Sequence, residues 1–367
     1  MIVVATVSLL ALLLTVFDSR KIIDFGLKAG FVMTTILVAL HYDYGNDYMM
    51  YFNRYTELMS AGYTSQDLLT KDIIRNGEFG WSIINILFMP FGRSGFFLMV
   101  AALACLQNWI YYHTIKTYVK REWWWLAIFI YLFVTNIYVL SFSMMRQSLA
   151  IALCVLMLKW IYEKKTMLAC VGILLTTTIH ASVIIMLPWT FIGLLPTRKH
   201  KLYAIIIAIL FTVLVVFRDV ADSIFVKILT FKLVADYNNL YGEDSNTLKI
   251  GIGFAINMIS LLIVLYYLYT NNRISKADTS IVMLYSFGFI VLPFTLILPL
   301  IARVMYYFTV FSVLALPITY SYLKNNLLRI SCTALFMLMT LYDYMLFFQQ
   351  PIWIEKYTTY QTIFSAL

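Results

Sequence analysis

Charge is scarce in this sequence, and so is cysteine. Only 12% of the 367 residues are Asp, Glu, Lys or Arg, against 62% hydrophobic. The four cysteines, Cys105, Cys154, Cys170 and Cys332, lie inside apolar runs without metal-ligand spacing, which excludes a disulfide framework and leaves them as packing residues. No run alternates in polarity, so an outer-membrane barrel is excluded. There is no GxxxxGK[ST] loop, no HExxH, no CxxC pair and no GxSxG elbow, hence no visible ATP-driven engine. The first seventeen residues are apolar but lack a basic n-region and a small-residue cleavage site, and are expected to be a retained span. No fixed-period repeat, linker or separate soluble domain stands out, so residues 1–367 read as one transmembrane domain.

What is there is a series of continuous apolar runs, each near the roughly 17 to 25 residues that cross a bilayer core. Such spans must satisfy their backbone hydrogen bonds internally, so the fold class is all-α, a polytopic membrane protein. The expected spans are about twelve: 1–17, 27–42, 94–115, 124–141, 144–162, 166–180, 181–195, 202–217, 249–270, 278–300, 301–323 and 327–348. The net charge of +9 would point to nucleic acid in a soluble protein, but here most Lys and Arg fall in short loops between spans and act as a topology signal. With a turn at Ile179-His180-Ala181, six basic clusters, from Arg20 and Lys21 to Lys324 and Arg329, share the cytoplasmic side. Both termini are then outside, as are two longer loops, about 43–80 and 218–248. Within the first, Trp81 to Phe91 ends in Pro90 and Gly92 and is expected to be a half-penetrating helix.

Ionisable residues in or at the lip of a bundle mark function more often than not, because each must face water or a partner. In this topology Arg146, His180, Arg303 and Glu78 converge on the outer level. Arg146 begins a helix after the loop Ser141-Phe142-Ser143, where free amides and the helix dipole already favour an anion and a guanidinium adds a fork suited to phosphate or carboxylate. The alternative for Arg146 is snorkelling to a loop acid. Arg303 repeats the arrangement, with Tyr306 and Tyr307 one turn on, although an interfacial aromatic belt is the plainer reading of those rings. His180 lies between apolar runs and can accept a proton near neutral pH; a hydrogen-bonded structural histidine is its alternative. His41 is a spare candidate. In HYDYGNDYMMYFNRY, Tyr44, Tyr48, Tyr51 and Tyr55 are spaced 4, 3, 4, one helix face, beside Asp43, Asp47 and Arg54. Flat rings beside carboxylates suit sugars, and a tyrosine-rich helix lying on lipid headgroups is the equal alternative.

With these positions in hand, the chain resembles the EpsG family of Wzy-type polysaccharide polymerases. The matching residues are Asp47-Tyr48 with Tyr51 and Tyr55, Glu78-Phe79-Gly80-Trp81, Arg146-Gln147-Ser148-Leu149-Ala150, His180-Ala181-Ser182, Arg303 with Tyr306-Tyr307-Phe308, and the tail Tyr357 to Phe364, where Thr359 stands at a position that calls for proline. The resemblance implies a glycosyltransferase-C-like helical bundle in the bacterial cytoplasmic membrane, active on its outer face, without cofactor or metal. It implies that the growing chain on undecaprenyl pyrophosphate is the donor, that a repeat unit on its own undecaprenyl pyrophosphate is the acceptor, and that a separate protein regulates chain length. His180 would be the base, Glu78 the orienter of the acceptor sugar, Arg146 and Arg303 the pyrophosphate donors, and Asp47, Tyr48, Tyr51, Tyr306 and Tyr307 the sugar contacts. A ligase using the same residues, a flippase for lipid-linked sugars and an O-acyltransferase are the competing readings. The flippase predicts two related halves and midplane charges, neither of which is visible.

Overall fold

The computed structural model describes residues 1–60, 78–217, 251–295 and 299–365. The chain is helical almost throughout. It opens with α1 (Ile2–Ser19) and α2 (Gly26–Leu40), a short strand β1 (His41–Tyr42) and α3 (Tyr48–Ser60). Then come α4 (Phe79–Phe88), a 3₁₀ turn at Met89–Phe91, α5 (Ser94–Tyr118) and α6 (Trp124–Phe133). Next, α7 (Met145–Leu156) runs into α8 (Leu158–Tyr162) and α9 (Thr166–Thr177), followed by 3₁₀ segments Ala181–Met186 and Pro188–Leu194. The second half holds α10 (His200–Val216), α11 (Ile252–Thr270), α12 (Lys276–Thr295), α13 (Pro299–Thr309), α14 (Ser312–Ser321), α15 (Asn326–Phe347), α16 (Pro351–Tyr357) and a closing strand β2 (Gln361–Thr362).

Seven helices among the described residues are long and apolar enough to cross a membrane, or eight if α13 and α14, bent by 49° at their junction, form one span. The expected count of about twelve is not confirmed among the described residues, where several runs fold into shorter pieces. The 27–42 run gives the 15-residue α2, and the 124–141 run stops being α-helical at Val134, before the polar Thr135-Asn136. The expected break at Ile179-His180-Ala181 is present: α9 ends at Thr177 and His180 is extended, with φ −150° and ψ 112°. Beyond it the chain winds as 3₁₀ helix, whose rise of about 2.0 Å per residue carries 181–194 roughly 28 Å, near the thickness of a bilayer core. The helix expected within 81–91 is α4. The 218–248 loop lies outside the described residues, as do 61–77 of the 43–80 loop.

The central helices are α5, α7 with α8, and α12, each with about two-thirds of its apolar window buried (61%, 67% and 67%), whereas α1, α10, α11 and α15 have a third or less. The outer helices present Leu9, Leu13, Ile205, Ile209, Leu335 and Leu338 outward. In water such faces would be a liability; in a bilayer the hydrocarbon is as apolar as they are and the faces are at no disadvantage. One continuous core runs from Val4 on α1 to Tyr357 on α16. A second, smaller core joins α3, α4, α5 and the start of α7 through Tyr48, Phe52, Tyr55, Trp81, Phe96, Phe97 and Met145. This second core fixes the elements that carry the charged residues.

Candidate active site

The start of α7 is held from below by a turn. Gly45 adopts φ +104°, a conformation that a side chain rarely tolerates, and a Cβ there would lie 2.9 Å from the Ser143 Cβ. The turn thereby closes on Ser143, whose Oγ accepts the Asp47 N–H at 3.0 Å. The hydroxyl of Tyr357, from α16, also hydrogen bonds to Ser143. Beside it, β1 and β2 pair antiparallel, with His41 opposite Thr362, and Lys356 Nζ lies 3.2 Å from an Asp43 carboxylate oxygen. Residues from the first and last parts of the described chain therefore set where α7 begins, three positions before Arg146.

A second contact sets Glu78. The N–H groups of Gly80 and Trp81, in the first turn of α4, donate to the Thr178 carbonyl at 2.8 and 3.3 Å. The approach is closer than any side chain would permit: a Cβ on Gly80 would sit 2.3 Å from Thr178 Oγ1. This docks the residue before α4, Glu78, against the residues after α9, His180 and Ala181. The last turn of α9 and the first of α4 thus serve each other's unsatisfied backbone groups.

The convergence of four distant segments follows. Glu78 Oε1 accepts the Ala181 N–H at 3.0 Å and meets His180 Nδ1 at 3.1 Å, while Oε2 forms an ion pair with Arg146 Nη1. The side chains of Glu78, Arg146 and His180 are 10%, 25% and 24% exposed. Arg146 Nε donates to the Tyr51 hydroxyl at 3.3 Å, and its guanidinium carbon lies 5.4 Å from the centre of that ring. Gln147, the next residue, donates from Nε2 to the Arg303 carbonyl at 2.9 Å, tying α7 to α13. Burial pushes the Glu78 carboxyl up, but the His180 hydrogen bond, the Arg146 charge and the Ala181 amide outweigh it and hold its pKa below the ordinary glutamate value. Glu78 is therefore ionised at neutral pH. Burial dominates at Asp47 and raises its pKa, with the charges of Arg303 and Arg146 offsetting that only in part. Those two influences place Asp47 within electrostatic reach of both arginines.

Of the residues singled out in the sequence, Tyr51, Arg146, Glu78 and His180 form one chain of contacts in that order, and Asp47 and Arg303 are coupled to Arg146 and its neighbour Gln147. Tyr44 is not on the helix face assigned to it: α3 starts only at Tyr48, and Tyr44 lies in the preceding turn with its ring 4.9 Å from that of Tyr357. Tyr48 and Tyr307 are fully buried, so neither ring has a face left for a ligand. Tyr48 packs on His41 and Phe96, and the Tyr307 hydroxyl is 2.8 Å from Ser182 Oγ. Tyr306, on another face of α13, lines a separate cavity. His41 is buried with its nitrogens against the Val38 and Phe142 carbonyls, and desolvation lowers its pKa to about 4. It is a structural pin. Sequence reasoning passed over Ser143, Gln147, Ser182, Thr178 and Gly80 as working residues. The available signal was their place inside the same short motifs as the charged residues.

Seven or eight helices long and apolar enough to cross a membrane define a multi-pass membrane protein, and Arg146, Glu78 and His180 form a polar cluster where distant segments of it meet. The model of the EpsG family matches residues 29–362, and the chain belongs to that family. Membership points to a polysaccharide polymerase-type glycosyltransferase of the bacterial membrane. No curated protein and no solved structure matches the chain.

Proposed function

We propose that the protein polymerises oligosaccharide repeat units carried on undecaprenyl pyrophosphate, at the outer face of the cytoplasmic membrane. The observation that carries this reading is the Arg146–Glu78–His180 cluster. In the reaction, a hydroxyl oxygen of the acceptor unit attacks C1 of the donor sugar, and the C1–oxygen bond to pyrophosphate breaks. The electron pair leaves with the pyrophosphate, and the hydroxyl proton must go to a base. His180 suits that role, because the Glu78 carboxylate takes its Nδ1–H and leaves the Nε2 lone pair open. Glu78 thus serves His180 rather than the acceptor sugar, since three protein donors already converge on its two oxygens. Arg146 has Nη2 without a partner among the described residues, and with Arg303 it supplies positive charge where the leaving group gains negative charge. Pyrophosphate leaves without protonation and the arginines supply the cations, so the reaction needs neither a second acid nor a metal. Tyr51 and Asp47 remain the sugar contacts beside the cluster in this reading, whereas Tyr306 faces a separate cavity.

The test is the surface polysaccharide of cells lacking the gene, run on a gel. Loss of long chains with a single repeat unit retained is the expected result. Loss of every decorated species, the single-unit form included, would instead mean a flippase or ligase.

A further inference from the structure

A cavity of about 460 Å³ lies between α11, α12, α13, α14 and α15, on the side of α13 away from Ser182 and His180. That volume is within the roughly 300 to 1,000 Å³ of small-ligand sites. Its lining divides into two kinds. Phe254, Tyr285, Tyr306 and Phe336 contribute aromatic rings, and a set of neutral polar side chains comes from these helices and from the segments at Thr135-Asn136 and Gln350. No Lys, Arg or His lines it among the described residues, and its one charged residue is Asp343.

The polar side chains do not all behave alike. Thr295, Thr309 and Asn257 hydrogen bond back to their own helices, at 2.7, 3.1 and 2.8 Å, the usual solution for a polar residue in an apolar helix. Ser312 and Thr340 do not. Both are 2% exposed, and their hydroxyl oxygens have no partner among the described residues; the carbonyl oxygen of the Asn136 side chain is in the same condition. A buried polar atom without a partner costs about 1 to 3 kcal/mol, so three around one cavity require an explanation in what the cavity receives. Hydroxyl groups can satisfy all three, because a hydroxyl both donates and accepts. Aromatic rings supply the flat apolar faces on which a sugar's C–H groups stack. A pyrophosphate would find no cation among the described residues here, and a plain hydrocarbon chain would leave the three oxygens unsatisfied.

We infer that this cavity is a saccharide subsite, distinct from the Arg146–Glu78–His180 cluster, that takes a neutral or amino sugar of the substrate. Carboxylated sugars are disfavoured by Asp343. The inference rests on the proposed polymerase reading for the identity of the saccharide, while the binding itself can be measured without turnover.

The test uses full-length protein in nanodiscs and, as probe, lipid-free oligosaccharides of one and two repeat units released from the surface polysaccharide of the source cells, titrated by calorimetry. Wild type should bind, and so should Arg146→Ala, which disables polymerisation elsewhere. The isosteric pair Ser312→Ala/Thr340→Val should bind about tenfold more weakly, the effect of two lost hydrogen bonds. Thr340→Trp, which fills the cavity, should not bind. Monodispersity on size exclusion guards against misfolding, and the conservative pair keeps the test decisive if the tryptophan variant fails to assemble. Equal binding by wild type and the conservative pair would overturn the inference, as would no binding to wild type at the highest soluble concentration, or displacement of the oligosaccharide by an isoprenoid alcohol. If deletion of the gene leaves chain length untouched while the cavity variants still lose binding, the polymerase reading fails and the subsite stands.

Discussion

Replacing Gly80 by alanine adds one methyl group to a residue that has no chemistry to perform, yet it should disable the site. The added Cβ would lie 2.3 Å from Thr178 Oγ1 and 3.1 Å from both the Thr178 Cβ and carbonyl carbon, whereas ordinary contact begins at 3.4 Å. The difference of 1.1 Å between 2.3 and 3.4 Å must come from separating α4 and the end of α9. Rotation of the threonine side chain offers little escape, because it breaks the bond from Oγ1 to the Leu175 carbonyl, 2.7 Å, and leaves the Cβ contact in place. Overpacking of this kind costs about 1 to 3 kcal/mol. The functional effect is larger in proportion, since a catalytic group displaced by about 1 Å loses roughly 10²-fold in rate. Glu78 is two residues from Gly80 and would move away from His180 and Ala181. Gly80→Ala should therefore give mostly single-unit product at normal protein level, with a modest fall in thermal stability. Thr178→Gly removes both side-chain contacts while keeping the carbonyl that binds Gly80 and Trp81, and should largely restore chain length to the double variant. Wild-type chain length in Gly80→Ala would refute the reasoning, and a defect that Thr178→Gly does not relieve would show that the close approach is not its cause.

Other outcomes can be measured with the same gel and a melting curve. Arg146→Ala and Arg303→Ala should each slow polymerisation about 10² to 10³-fold, the usual effect of losing one donor to a developing negative charge, and His180→Ala about 10² to 10⁴-fold. Glu78→Ala leaves the Arg146 guanidinium mostly buried without its carboxylate and should cost about 3 kcal/mol of stability. Because the folded pKa of Glu78 lies below its ordinary value, its contribution to stability is complete above that value and fades as pH falls through the lower one; Glu78→Gln should lack this acid limb. Asp47 has the opposite sign. Its raised pKa means that the ionised form burdens the fold, so Asp47→Asn should melt higher than wild type at neutral pH, and an unchanged or lower melting temperature would contradict the burial assigned to it.

The helical class was legible because a membrane span has one requirement, a long apolar run, and the runs are in the sequence. Their number was not, since a run becomes a span or a shorter piece according to what packs beside it, as α2 and α6 illustrate. The break at His180 was legible from the basic loops on either side, since a single helix over 166–195 would turn Arg198, Lys199 and Lys201 outward. In α3 the tyrosine spacing correctly put Tyr48, Tyr51 and Tyr55 together, but Gly45 ends that face before Tyr44, and no periodicity tells which tyrosine meets Phe96 and which meets Arg146. Gly80 and Ser143 were silent because their roles exist only between segments far apart in sequence. The convergence of Arg146, His180 and Glu78 was inferred from a shared level in the membrane; the contacts among them are tertiary information.

The pairing of His41 with Thr362 joins positions 321 apart in sequence, and the turn at Gly45 leans on Tyr357 and Lys356 as well as on Ser143. During synthesis, every helix from α1 to α15 leaves the ribosome before those partners exist. The earlier helices can enter the bilayer one by one, but the support of the α7 start is completed only with residues 356–362. Such long-range closure is slow compared with helix formation. A half-made copy would therefore sit in the membrane with its helices formed and its centre unassembled, unable to act on substrate until translation has passed residue 362.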